Sequence, residues 1–263
     1  MTSPNPVITA LRVEHDRLAE LASSFTDADL AQPSGATRWD VSEVLSHLGS
    51  GANLTHSALH AALDNRPRPD SDWQHAVWGE WNAMTRRQRA EAFLKANHAL
   101  TELLESLDTG TRVDLRVDTG FLPRPVDVTT FARLRLSEMA LHSWDVRVAF
   151  DDHASLTPEA TRQLLHGQPD LLGWISRPEQ LDGTYAVIHV TTSAPESHFT
   201  LRMEDRISVD LRSPREADGT LTLPAEAWLR LIAGRLRPHH TPEALTTAGV
   251  TDIRLLRRLF PGY

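Results

Sequence analysis

The sequence predicts an α+β protein in two parts. An N-terminal antiparallel four-helix bundle covers residues 1–155, and a small α+β domain with a mainly antiparallel sheet covers residues 156–263. Three observations carry this. Apolar residues recur at helical spacing in long stretches up to about residue 150. After Asp182-Gly183 the pattern changes to short segments of alternating apolar and polar residues. Between them lies Asp151-Asp-His-Ala-Ser-Leu-Thr-Pro158, which reads as the end of the first part. The total of 263 residues suits one large or two modest domains.

The first helix is expected over about Val7 to Phe25, with Ile8, Leu11, Leu18 and Leu21 on its apolar side. A loop with Pro33 and Gly35 follows. Asp40 then has the short acceptor side chain of an N-cap, and Glu43 three residues on completes a capping-box pattern. The helix it starts runs to Leu63 and carries His47, His56 and His60. Asn65-Arg-Pro-Arg-Pro69 stops it, because proline cannot continue a helix. A third helical stretch is expected from Trp73 to Leu107. Val113, Leu115 and Val117 alternate with polar residues and predict a short strand or extended loop. A fourth helix spans about Val126 to Phe150. Four long helices with short connections imply an antiparallel bundle.

In the second part, a helix from Pro158 to about Ile175 leads into strands at Tyr185–Thr191, His198–Met203, Ile207–Leu211 and Gly219–Leu223. Pro224 starts a helix through about Arg235, and a last helix covers about Thr251 to Leu259. Such a pattern predicts an antiparallel-rich sheet with helices on one side.

Composition excludes several functions. The chain is 40% hydrophobic and 24% charged, with a formal net charge of -8. An acidic balance argues against general nucleic-acid or anionic-membrane binding, which need basic surface. No apolar run approaches the roughly 18 residues of a spanning helix. The opening Met-Thr-Ser-Pro-Asn-Pro lacks a basic stretch followed by an apolar core, so a cytoplasmic protein without a signal peptide is expected. There are no cysteines. Disulfides, thiolate metal sites and a cysteine nucleophile are therefore excluded, and any thiol chemistry needs a thiol from outside.

The chemistry-bearing motif is Glu138-x-x-x-His142, within Phe131-Ala-Arg-Leu-Arg-Leu-Ser-Glu-Met-Ala-Leu-His-Ser-Trp-Asp145. Residues four apart on a helix lie one above the other. The same face carries Phe131, Leu134 and Leu141, so it is expected to point inward, where an unpaired carboxylate is costly. A divalent metal would satisfy it. His47, beside Val44 and Leu54, supplies a third ligand if its helix faces the pair. Two histidines, one carboxylate and an open position form a catalytic zinc pattern. The same spacing also describes an ordinary helical hydrogen-bonded pair, and a lone His47 reads as a core histidine. Asp145 either orients His142 from behind or caps or ion-pairs. His56 and His60 read as surface or rim residues, and Trp39 and Trp144 as core. Arg235, at a helix end after Gly234, reads on spacing alone as a solvated cation favoured by the helix dipole.

The segments Arg38-Trp-Asp-Val-Ser-Glu-Val-Leu-Ser-His47-Leu and Arg135-Leu-Ser-Glu138-Met-Ala-Leu-His142-Ser-Trp-Asp145 resemble the mycothiol-dependent maleylpyruvate isomerase family. The resemblance covers nearly the whole chain. It implies a DinB-like metal-binding bundle followed by a sterol-carrier-protein-like domain, with zinc (Zn2+) held by His47, Glu138 and His142. It also implies mycothiol as thiol cosubstrate and cis–trans isomerisation of an unsaturated diacid. Arg235 matches the family's Gly-Arg near the end of the second domain, which implies a catalytic arginine stabilising a substrate carboxylate or developing enolate. The tail after Arg235 departs from the pattern and leaves the substrate open. A mycothiol S-transferase acting on electrophiles, a non-catalytic binding protein for a small or apolar molecule, and a metal-stabilised fold with a regulatory role are the alternatives. The expected partners are small molecules, with the chain a monomer or homodimer.

Overall fold

A computed structural model describes residues 5–165, 167, 172 and 175–262. The chain forms two compact units, Met1–Ala154 and Ser155–Tyr263.

In the first unit, α1 spans Pro6–Ser24. Asn5 caps it by accepting from Val7 N, and Pro6 sits where a helix has no use for its N–H. A short α2 covers Asp27–Leu30. Next, α3 runs over Val41–Leu63 and starts with the expected reciprocal pair: Asp40 accepts from Glu43 N, and Glu43 accepts from Asp40 N. The single helical stretch expected over 73–107 is two helices, α4 (Ser71–Ala83) and α5 (Arg86–Ser106). Thr85 lies between them in extended conformation and forms a capping box with Gln88. A Thr-x-x-Gln start signal overrides helix continuation here.

The alternation around Val113 is only partly strand. Asp108 caps α6, Thr109–Asp114, which takes in Val113. The strand β1 is Arg116–Val117, paired antiparallel with β2, Val126–Asp127. Asp127 then caps α7, Val128–Arg147, which ends three residues short of the expected Phe150.

Helices α1, α3, α5 and α7 form the bundle, in the packing pairs α3–α5, α1–α7, α1–α5 and α3–α7. End contacts give their directions. Arg12 near the start of α1 meets Glu105 near the end of α5, and Arg87 at the start of α5 meets the Phe25 carbonyl after α1, so these two are antiparallel. Likewise α3 and α7 oppose each other: His47 lies against Glu138, and Gly35 before α3 bonds Asp145 near the end of α7. By contrast, α3 and α5 run the same way. Arg86 at the start of α5 reaches Asp40 at the start of α3. The connection between them is not short, because α4 carries the chain back to the end where α3 began. Leu11, Leu18, Leu45, Leu48, Phe93, Leu100 and Leu136 fill the bundle core.

In the second unit, Thr157 caps α8, Pro158–Leu164. The expected continuation to Ile175 runs into residues outside those described. The five-stranded sheet has the order β5-β4-β3-β6-β7, with β3 Ala186–Ser193, β4 Ser197–Met203, β5 Ser208–Asp210, β6 Gly219–Pro224 and β7 Thr246–Gly249. Only the central β3–β6 pairing is parallel. The sequence did not foretell β7, because Thr-Thr-Ala-Gly is exposed throughout and has no apolar alternation. Helix α9, Ala225–Ile232, packs on β6 and β3 and also against α10, Ile253–Leu259. Ile188, Val190, Leu201, Leu221, Trp228 and Leu256 form its core. Among the described residues, no helix is long and apolar enough to cross a membrane.

Candidate metal centre

Two bundle helices build the site. His47 lies in the second turn of α3, and Glu138 and His142 lie four apart on α7. Because α3 and α7 pack side by side, the three side chains meet. His47 Nε2 is 3.1 Å from Glu138 Oε2, and His142 Nε2 is 3.7 Å from the same oxygen. One ligand atom from each lies within 4.8 Å of the others. Ligand atoms about 2.1 Å from a tetrahedral ion sit roughly 3.4 Å apart, so the donor set and spacing suit a zinc-type ion.

The site is less buried than the apolar face predicted. The Glu138 and His47 side chains are 36% and 39% exposed, while that of His142 is 10% exposed. Leu134 is also half-buried. The trio is therefore partly exposed rather than sealed in the bundle core.

The surroundings orient the three residues. His142 Nδ1 donates to Asp145 Oδ2 at 2.8 Å, which leaves Nε2 facing Glu138. The Asp145 side chain is 1% exposed. Burial alone would raise the Glu138 carboxyl; the His47 hydrogen bond and the nearby His142, His47 and Arg135 outweigh it, so its pKa falls from 4.5 to about 2. An ionised carboxylate is the form a metal binds.

The loop before α3 closes over this end. Gly35 N donates to the Asp145 carbonyl at 2.7 Å. A Cβ at Gly35 would stand 2.9 Å from Asp145 Oδ1 and 2.8 Å from Val148 Cγ1, so glycine permits the approach. The loop carries Trp39, which is not a core residue. The residue is 36% exposed, and its ring lies 5.0 Å from the His47 ring and 5.9 Å from that of His142. Trp144 is core as expected, with its Nε1 donating to the Ala154 carbonyl.

Sequence reasoning overlooked Arg135, one turn before Glu138. Its guanidinium is buried, and Nη2 donates to the Leu48 carbonyl at 2.6 Å and to Asn97 Oδ1 at 2.9 Å. The Asn97 amide in turn donates to His15 Nδ1 at 2.9 Å. The signal available was a charge flanked in the helical pattern by Phe131, Ala132, Leu136 and Met139, all buried. The His56 and His60 rings lie 4.6 Å apart, tilted by 57°, with His60 exposed. Arg235 lies in the second unit, buried, its Nη1 donating to the Ala233 carbonyl. It is not a solvated helix-end cation.

The class so defined is an α+β protein whose helical bundle carries a His–Glu–His cluster backed by a buried aspartate. Residues 11–147 match the family model described as mycothiol maleylpyruvate isomerase N-terminal domain, and the chain belongs to that family. Two solved structures are similar along the chain: a mycothiol-dependent maleylpyruvate isomerase and a histidine-to-alanine variant of it. Each is 14% identical, with a TM-score of 0.63, and the match covers 94% of this chain and 93% of the other. At that identity the likeness establishes the fold. No curated protein sequence matches the chain.

Proposed function

We propose that His47, Glu138 and His142 hold zinc and that the protein is a mycothiol-dependent isomerase of unsaturated diacids. The observation that carries this reading is the convergence of two imidazole nitrogens and one carboxylate oxygen within 4.8 Å. Zinc bound there would lower the pKa of an incoming thiol and hold it as a thiolate.

The chain's own residues supply the rest. Asp145 keeps the His142 proton on Nδ1, so Nε2 stays a ligand. Trp39 lies beside the His47 and His142 rings and supplies an apolar wall to the proposed site. The chain has no cysteine, so the sulfur comes from the cosubstrate. The thiol adds across the cis double bond, the resulting single bond rotates, and elimination gives the trans acid. The C–S bond that forms is the one that breaks, so nothing is oxidised or reduced. Arg235 is proposed to stabilise a substrate carboxylate or the developing enolate, and the second unit to be a sterol-carrier-protein-like domain.

The test is an activity screen of zinc-loaded protein with mycothiol against cis-unsaturated diacids and simple electrophiles, read by mass spectrometry. Isomers with mycothiol returned unchanged support the proposal. Persistent mycothiol adducts would make the protein an S-transferase instead. Indifference to both zinc and thiol would leave a binding protein. Arg235→Ala is expected to keep the metal and lose turnover; unchanged turnover would deny Arg235 a part in the chemistry.

A further inference from the structure

Arg135 is a buried cation whose bonded partners are all neutral. Nη2 holds the Leu48 carbonyl and the Asn97 amide oxygen, and Asn97 is itself held by His15. Nε is buried without a hydrogen-bond partner. Nη1 makes no hydrogen bond among the described residues. The guanidinium is therefore pinned at Nη2 and unbonded at the Nη1 corner.

The unbonded corner has a definite neighbour. Nη1 lies beside Gly51 of α3, at 3.0 Å from where a Cβ would stand. Gly51 is half-buried and one turn beyond His47, while Arg135 is one turn before Glu138. The notch left by the missing side chain thus lies one helical turn from the metal-binding trio, on the same pair of helices.

Charge points the same way. Burial lowers the Arg135 pKa to about 10, and the negative charge opposing that shift is Glu138. If Glu138 is committed to a metal ion, Arg135 is left with neutral partners only. A buried cation in that position favours a second anion. The unbonded N–H groups of Nη1 can give a carboxylate charge-assisted hydrogen bonds.

We propose that Arg135 Nη1 and the notch at Gly51 form a carboxylate-binding subsite one helical turn from His47, Glu138 and His142. The identification of the carboxylate as one end of a diacid substrate rests on the function proposed above; the subsite itself does not. The anchor accounts for how a diacid is held with its double bond near the trio. One carboxylate sits on Arg135, and the chain of carbon atoms extends toward His47, Glu138 and His142.

The test uses the full chain and succinate, a saturated dicarboxylate that cannot isomerise, with succinamide as the uncharged control. Calorimetric titrations are made on metal-free and zinc-loaded protein. Gly51→Ala fills the notch while improving helix propensity, so loss of binding cannot be blamed on a weakened helix. Arg135→Lys keeps the charge and removes Nη1. We expect the unmodified protein to bind succinate but not succinamide. Both variants should weaken succinate at least about tenfold, with circular dichroism and zinc stoichiometry unchanged. Equal binding of succinate and succinamide, no succinate binding, or the same affinity in both variants would overturn the subsite. Zinc titration of the unmodified protein separates the two readings. Failure to bind zinc there sinks the proposed function, while the succinate result in metal-free protein still decides the subsite.

Discussion

Asp145 accepts the Nδ1 hydrogen of His142 at 2.8 Å, from three residues further along the same helix. With the Asp145 carboxylate buried, the bond fixes both the tautomer and the tilt of the imidazole. Nε2 then points at Glu138 before any ligand arrives. Carboxylates behind a ligating histidine typically contribute about 10–100-fold to metal affinity. Asp145→Asn preserves shape and removes the charge. It should weaken zinc by about that factor with the helical spectrum unchanged, as measured by competition with a chromophoric chelator.

The same aspartate is braced by the loop before α3. A Cβ at Gly35 would meet Asp145 Oδ1 at 2.9 Å and Asp145 Cα at 3.0 Å. Gly35→Ala must push the loop or the aspartate aside, at a cost of about 1–3 kcal/mol for overpacking. Zinc affinity should fall with stability. Gly79→Ala is the control, because nothing stands within 4 Å of its Cβ. A Gly35→Ala protein matching that control in both measurements would show that the loop is not a brace.

Removing any of the three proposed ligands should empty the site without unfolding the bundle. Among the described residues, His47, Glu138 and His142 are the group of histidines and acids placed to hold a metal ion. His47→Ala, Glu138→Ala and His142→Ala are each expected to lose stoichiometric zinc by elemental analysis. Their circular dichroism should stay that of the unmodified protein. If all three retained a full equivalent of zinc, the ion would be elsewhere.

Behind the site, His15 gives the fold a pH signature. Burial lowers its pKa from 6.5 to about 4. The folded value lies below the unfolded one, so the unfolded chain takes up the proton first as pH falls. The associated stability is fully present above about pH 6.5 and is lost as pH drops toward 4. The loss amounts to at most about 3 kcal/mol. Protonation would also set an N–H against the Asn97 amide, which now donates to His15 Nδ1. Denaturant titrations between pH 7 and pH 4.5 should show this slope in the unmodified protein and a flatter one in His15→Gln. Parallel slopes would remove His15 from the account.

Much of the fold was legible because it is encoded locally. The reciprocal bonds of Asp40 and Glu43 are a four-residue signal, and α3 begins and ends where that signal and Asn65-Arg-Pro place it. The alternation at Ala186, Ile188 and Val190 is the buried face of β3. Misreadings arose where two local signals competed. A long apolar period hid the Thr85/Gln88 start of α5, and an alternating triplet hid the Asp108 cap of α6. Strand β7 has no pattern of its own and exists because β6 offers it an edge.

The sequence by itself determined that Glu138 and His142 share one helical face, because 3.6 residues per turn makes that a property of the spacing. It determined that any sulfur must be borrowed, because the chain contains no cysteine. Only the tertiary structure brought His47 within 3.1 Å of Glu138 from 91 residues away, through the packing of α3 on α7. Only the tertiary structure turned α5 parallel to α3, so that Arg135 could join Leu48 to Asn97. Long-range partners are chosen by how whole helix faces pack, and that choice is written in no short stretch of chain.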